Sequence, residues 1–108
     1  IRPTLYEAWH RIEPVSDTAG AVQPTDIVGP VCETGDYQGL GHSLPPLQRG
    51  DLLAVRSAGA YGAVMRSNYN TRPFAAEILI INGEARPISV QQTVADLLAQ
   101  DRIPPELQ

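Results

Sequence analysis

The stretch VCETGDYQG, residues 31–39, places a thiol beside two carboxylates: Glu33 follows Cys32 at once, and Asp36 lies three residues further on. Gly35 and Gly39 bracket Tyr37, the pattern of a tight turn. A free cysteine is most often a small buried hydrophobe. Two charged neighbours argue against that here, because they cannot both be buried unpaired without a large penalty. The segment must therefore reach solvent, a cation or a ligand. Negative neighbours disfavour the thiolate, so the Cys32 thiol is suited to giving a proton rather than to attacking.

Three other stretches combine residue types that recognise ligands, and each also has a plain structural reading. GAYG, residues 59–62, flanks Tyr61 with glycines that allow a close backbone approach, and a tyrosine hydroxyl can donate to a phosphate or carboxylate. Taken alone it reads first as a turn with a packed ring. RPTLY, residues 2–6, sets Arg2 and Tyr6 four apart; Arg2 can grip a carboxylate through two bonds, or can simply be solvated. SNYN, residues 67–70, reads as a cap for a preceding short helix. His10 and His42 have no companion at metal-ligand spacing, so no metal is assigned. No P-loop, glycine-rich dinucleotide loop or catalytic-triad pattern occurs.

The elements that must position these residues are mainly strands. Ten prolines and nine glycines are spread along the chain, a punctuation that suits short strands and turns. Residues 5–15 fit both helical and strand spacing; Pro3 and Pro14 leave little room for a helix, so the pattern predicts a short turn followed by a strand. TDIVGPVC, 25–32, reads as a strand ended or bulged at Gly29-Pro30. GLGHSLPPLQRGD reads as a loop, and DLLAVRS, 51–57, as a buried strand. One or two helical turns are expected around Ala60 to Met65. PFAAEILIING, 73–83, is the strongest strand signal; it closes on an Asn-Gly turn, with EARPISV as its hairpin partner. Thr93 and Asp96 stand at the start of a helix whose Val94, Leu97 and Leu98 share a face. The fold class expected is mainly β and antiparallel, a small sandwich or Greek-key barrel with a short helix and a C-terminal helix.

Composition narrows the function. The 108 residues suffice for one domain with a modest core, and 43% are hydrophobic. The net charge of −4 argues against binding a phosphate backbone, and no apolar run is long enough to span a membrane. One cysteine forms no internal disulfide, which fits a reducing cytoplasm. All eight basic residues counted with the lysines are arginines; there is no lysine. The chain opens at Ile1 in mid-pattern, so it is expected to be a piece of a longer protein.

RPTLYEAWH, GPVCETGD, GDLLAVRSAGAYGAVMRSNYNTRP and AAEILIING occur in that order, and together they resemble the C-terminal portion of the diaminopimelate decarboxylases. These belong to the pyridoxal-phosphate decarboxylases with an alanine-racemase-like fold. The resemblance covers roughly residues 1 to 100. The family's cysteine motif usually reads CESGD, and CETGD departs from it conservatively. Ornithine-type relatives carry aspartate after the cysteine, so Glu33 points to the diaminopimelate branch.

The resemblance implies a role for each residue. Cys32 would reach across a homodimer interface and protonate the decarboxylated carbon. Glu33 would bind the substrate's distal ammonium, while Arg2 and Tyr6 would hold its distal carboxylate. Tyr61 would meet both the cofactor phosphate and the substrate. It also implies a C-terminal β domain spanning residues 1–108, with a TIM-barrel domain before it. The cofactor, pyridoxal 5′-phosphate, is held through a lysine, which this chain lacks, so the isolated chain is expected to be inactive. Surfaces left uncovered would favour self-association. The nearest variants are relatives acting on carboxynorspermidine, arginine or ornithine; the reading from another class is a non-catalytic β interaction module.

Overall fold

The computed structural model describes residues 2–108, with Arg2 described in its backbone alone. The chain divides into two compact units, residues 1–66 and 67–108. The first holds α1 (Arg2–Tyr6), β1 (Ile12–Pro14), β2 (Gln23–Val28), β3 (Tyr37–Leu44), β4 (Leu53–Val55) and α2 (Gly59–Val64). The second holds β5 (Ile78–Ile81), β6 (Glu84–Pro87) and α3 (Val94–Leu98), with short 3₁₀ turns at Tyr69–Thr71 and Pro105–Leu107.

The start of the chain is a helix where the prolines predict a turn. Pro3 lies in the first turn of α1, where a missing N–H removes no helical bond. Glu7, with φ 52°, ends the helix after five residues by turning left-handed. The chain then straightens into β1, which pairs antiparallel with β4 in the register Ile12↔Val55, Glu13↔Ala54 and Pro14↔Leu53. The N–H of Arg56 to the carbonyl of Arg11 extends the ribbon at one end, and that of Val15 to Leu52 at the other. Glu13 accepts from Arg56 Nε at 2.6 Å and pairs with Arg11 Nε at 2.7 Å. The Arg56 bond, with Arg11 beside it, holds the Glu13 carboxyl below its ordinary value of 4.5. Being on the surface, the pair adds little stability.

β2 stops at Val28, immediately before Gly29-Pro30, as expected. Its partner lies where the sequence reads as loop: Tyr37–Leu44 is a strand that includes GLGHSL. Its glycines mark bulges rather than a break. Register slips between Thr25 and Ile27 and again before Val28, so β3 carries the extra residues. Gly41 has φ 66°, and its N–H is taken by the Asp26 carboxylate at 2.8 Å. Gly39 is buried with no room for a side chain, since a Cβ would stand 2.2 Å from the His42 ring. His42 is itself buried and stacks on Trp9 at 5.5 Å, with the rings within 8° of parallel. That stack ties the segment after α1 to β3. Ile12 and Leu44, 5% and 2% exposed, form the small apolar centre. The predicted strand 51–57 is shorter, three residues, and half-buried rather than buried.

In the second unit the β5–β6 hairpin turns on Asn82 and Gly83, with φ 52° and 79°, as the Asn-Gly pair predicts. The strand occupies 78–81 only. Residues 73–77 are irregular, and there the Glu77 carbonyl accepts from Ile88 and the Glu77 N–H donates to Ser89 Oγ. All of β5 and β6 is exposed. Thr93 caps α3 in a full capping box, and its hydroxyl and N–H hold the Asp96 carboxyl below its ordinary range. Within SNYN the Asn68 amide donates to the Arg72 carbonyl and to Gln92 Oε1.

The fold is thus mainly β and antiparallel with few helices. Its described strands form three separate two-stranded ribbons, with no closed barrel among the described residues. Closure needs every strand edge paired, and each ribbon leaves its outer edges open.

Candidate functional site

Cys32 lies in the turn joining β2 to β3. It is exposed, so it is not a packed core residue. The backbone around it is pinned by Asp36. The Asp36 carbonyl accepts the Gly29 N–H at 2.7 Å, and its Oδ2 accepts the Val31 N–H at 2.8 Å. Inside this ring the Glu33 N–H donates to Val31 at 2.8 Å, and the Asp36 N–H donates to Glu33 at 3.1 Å. Asp36, half-buried, therefore spends its carboxylate on the turn. Glu33 is different. Its side chain is exposed, and its Oε1 receives only long bonds, 3.3 Å from the Gly35 N–H and 3.4 Å from Thr34 Oγ1. The two carboxylates beside the thiol have separated into one that builds the turn and one presented outward.

The geometry explains Gly29 and Gly35. A Cβ on Gly29 would fall 2.0 Å from Asp36 Oδ2, and one on Gly35 would fall 2.9 Å from Thr4 Cγ2. The second contact joins two predicted site segments. Thr4 Oγ1 donates to the Gly35 carbonyl at 2.5 Å, bonding α1 to the turn. Tyr6, on α1, is exposed. The side chain of Arg2 lies outside the described residues.

Tyr61 is positioned separately. β4 ends, Ser57 turns left-handed at φ 54°, and α2 begins at Gly59 with Tyr61 in its first turns, 52% exposed. The Gly62 N–H reaches Ala58 and the Met65 N–H reaches Tyr61, so the helix is short but properly closed. A Cβ on Gly59 or Gly62 would meet no atom of the described chain within 4 Å. Unlike Gly29, Gly35 and Gly39, these two glycines answer no packing demand seen in the fold. They leave open backbone beside a tyrosine.

All the predicted site residues fall in the first unit. The structure brings the helix of Arg2 and Tyr6 against the turn of Cys32 and Glu33, and it carries Tyr61 on α2. The sequence reading missed Thr4, and it gave Asp36 no role of its own. Among the described residues no group of three or more His, Cys, Asp or Glu is placed to hold a metal, and no helix is long and apolar enough to cross a membrane.

Residues 1–59 match the family model described as pyridoxal-dependent decarboxylase, C-terminal sheet domain. The chain is similar to the diaminopimelate decarboxylase of Pseudomonas fluorescens, 50% identical over 98% of its length, and to that of Vibrio cholerae, 47% identical over 98%. It spans a quarter of the length of each. Among solved structures it resembles a diaminopimelate decarboxylase from M. jannaschii in co-complex with L-lysine. There the TM-score is 0.91 and the identity 36%, over 99% of this chain and 24% of that one.

Proposed function

This chain belongs to the pyridoxal-dependent decarboxylases as a C-terminal sheet domain, and from that premise we propose that it is the substrate-reading portion of a diaminopimelate decarboxylase. The full-length protein would convert meso-2,6-diaminopimelate to L-lysine and carbon dioxide. The observation that carries the reading is the 50% identity to such an enzyme across 98% of this chain. A relative's complex with L-lysine, the product of this reaction, supports it.

Pyridoxal phosphate, when bound, supplies the electron sink for the carbon that carbon dioxide leaves. This chain's residues supply recognition and a proton. The outward carboxylate of Glu33 takes the distal ammonium, and Arg2 with the Tyr6 hydroxyl takes the distal carboxylate. Reading both groups rejects analogues that lack one, since unmatched buried polar groups are costly. The Cys32 Sγ–H gives its proton to the carbon that has lost its carboxyl. Tyr61 and the open backbone at Gly59 and Gly62 take the phosphate end. The lysine that holds the cofactor belongs to another part of the full-length protein, a barrel domain, and the assembly is a cytoplasmic homodimer with sites at its interface.

The test is carbon dioxide release by the full-length protein loaded with pyridoxal phosphate, offered meso-diaminopimelate, ornithine, arginine or carboxynorspermidine. Turnover of diaminopimelate above the others is expected. Preference for any other substrate, or none turned over by folded and loaded protein, would overturn the reading.

The glycines of α2 give a second expectation. Gly62→Ala should stabilise the fold by about 0.5–1 kcal/mol, because the helix gains an alanine and no contact is strained. The same substitution should weaken pyridoxal phosphate binding several-fold in an absorbance titration. Unchanged affinity would remove the close backbone approach from the site.

A further inference from the structure

We propose that Thr4 is a positioning residue, whose hydroxyl clamps the CETGD turn to α1 so that Cys32 and Glu33 are presented in fixed relation to Tyr6. This rests on the functional reading above and adds to it a residue that touches neither substrate nor cofactor.

The turn is well bonded within itself, but those bonds fix its shape and not its direction. The bonds from Gly29 to Asp36, from Val31 to Asp36 and from Asp36 to Glu33 lie between residues 29 and 36, and the Gly35 carbonyl also accepts the N–H of Tyr37, two residues on, at 3.0 Å, so all of them are local. The bond from Thr4 Oγ1 to the Gly35 carbonyl crosses 31 residues of sequence. It ends on the carbonyl between the two ring members Glu33 and Asp36. A short bond there stops the loop from rocking about its two strand ends. Thr4 is part-buried while Cys32 and Glu33 are exposed, so the clamp sits behind the groups it aims. The contact is also close in its apolar half: the Thr4 methyl stands where a Gly35 side chain would be, at 2.9 Å. Position 35 is thereby restricted to glycine by Thr4, not by backbone conformation, since Gly35 is not among the residues with positive φ.

The test compares Thr4→Val, which keeps the shape and removes the hydroxyl, with Thr4→Ser, which keeps the hydroxyl and removes the methyl, in the full-length protein. Amide hydrogen exchange of the peptide covering residues 29–37 should quicken about tenfold in Thr4→Val, the loss of roughly one hydrogen bond, and stay near wild type in Thr4→Ser. With diaminopimelate, Thr4→Val should raise KM and lower kcat, together about a tenfold loss in kcat/KM, and Thr4→Ser should recover most of it. A loss of folded protein alone lowers kcat and leaves KM unmoved, so the KM change separates aiming from stability. Gly35→Ala gives an independent check: it should impair the wild type and be relieved in the Thr4→Ser background, where the obstructing methyl is gone. Unchanged exchange in Thr4→Val overturns the clamp. Quickened exchange with unchanged KM and kcat overturns the positioning role. Should the wild-type protein not turn over diaminopimelate, the functional reading fails, while exchange and the Gly35 rescue still decide whether Thr4 holds the turn.

Discussion

Cys32→Ala in the full-length protein is expected to lower kcat for diaminopimelate by about a hundredfold to ten-thousandfold, the range for removing a positioned proton donor. The fold should not notice. Cys32 is exposed, so its truncation leaves no cavity and breaks none of the bonds that shape the turn. The unfolding free energy should stay within about 0.5 kcal/mol of wild type, as for a surface substitution. KM should change little, because on the proposed reading Glu33, Arg2 and Tyr6 would read the distal end of the substrate and remain in place. Steady-state carbon dioxide release with a parallel melt reads all three. A kcat within threefold of wild type would remove Cys32 from the chemistry and return the turn to a binding role alone. Glu33→Gln provides the contrast: there the loss should fall mainly on KM, since the charge that meets an ammonium is gone while the proton donor stays.

Gly29→Ala is the second large effect, and it acts through shape. The new Cβ would stand 2.0 Å from Asp36 Oδ2 and 2.2 Å from its Cγ, closer than real Cβ contacts allow. Asp36 must swing away and give up the Val31 N–H, or the backbone of the turn must open. Overpacking costs about 1–3 kcal/mol, and a lost hydrogen bond about 0.5–1.5 kcal/mol more. Activity should fall further than stability implies, because a catalytic group displaced by an ångström can lose about a hundredfold in rate. The double variant Gly29→Ala, Asp36→Ala removes the obstructing carboxylate. It should recover stability relative to Gly29→Ala without recovering activity, since the Val31 bond is still missing. A Gly29→Ala protein with wild-type melt and kcat would mean that the turn tolerates another shape.

These expectations show where the sequence was sufficient. Hairpin chemistry is local, so Asn82-Gly83 declared its turn. Capping is local, so Thr93 and Asp96 declared the start of α3. Proline after glycine declared the end of β2. The company Cys32 keeps was legible for the same reason: a thiol and two carboxylates within five residues must share one small volume whatever the fold. Composition also told that this chain has no lysine amine to offer a cofactor.

What failed was set at long range. GLGHSL looked like a loop because glycine is a poor strand former, yet β2 holds it as a bulged strand and Trp9 covers His42. A glycine's sequence neighbours do not say whether it serves a turn, a bulge or a close approach. In this chain Gly41 serves a bulge, Gly29 and Gly35 make room for Asp36 and Thr4, and Gly59 and Gly62 leave open space. The structural task of Asp36 was equally hidden, since a carboxylate's spacing does not say that it will bond the backbone of its own turn. Only the fold determined which of the two carboxylates takes a short bond from the backbone and which, with only long bonds, faces outward. Thr4 carried no signal because its partner lies 31 residues away, and a single side-chain bond across that span leaves no periodicity or motif in the chain. Residue type and short spacing thus determined which chemistry this chain can offer; tertiary contact alone determined which groups are free to perform it and which are consumed in holding them.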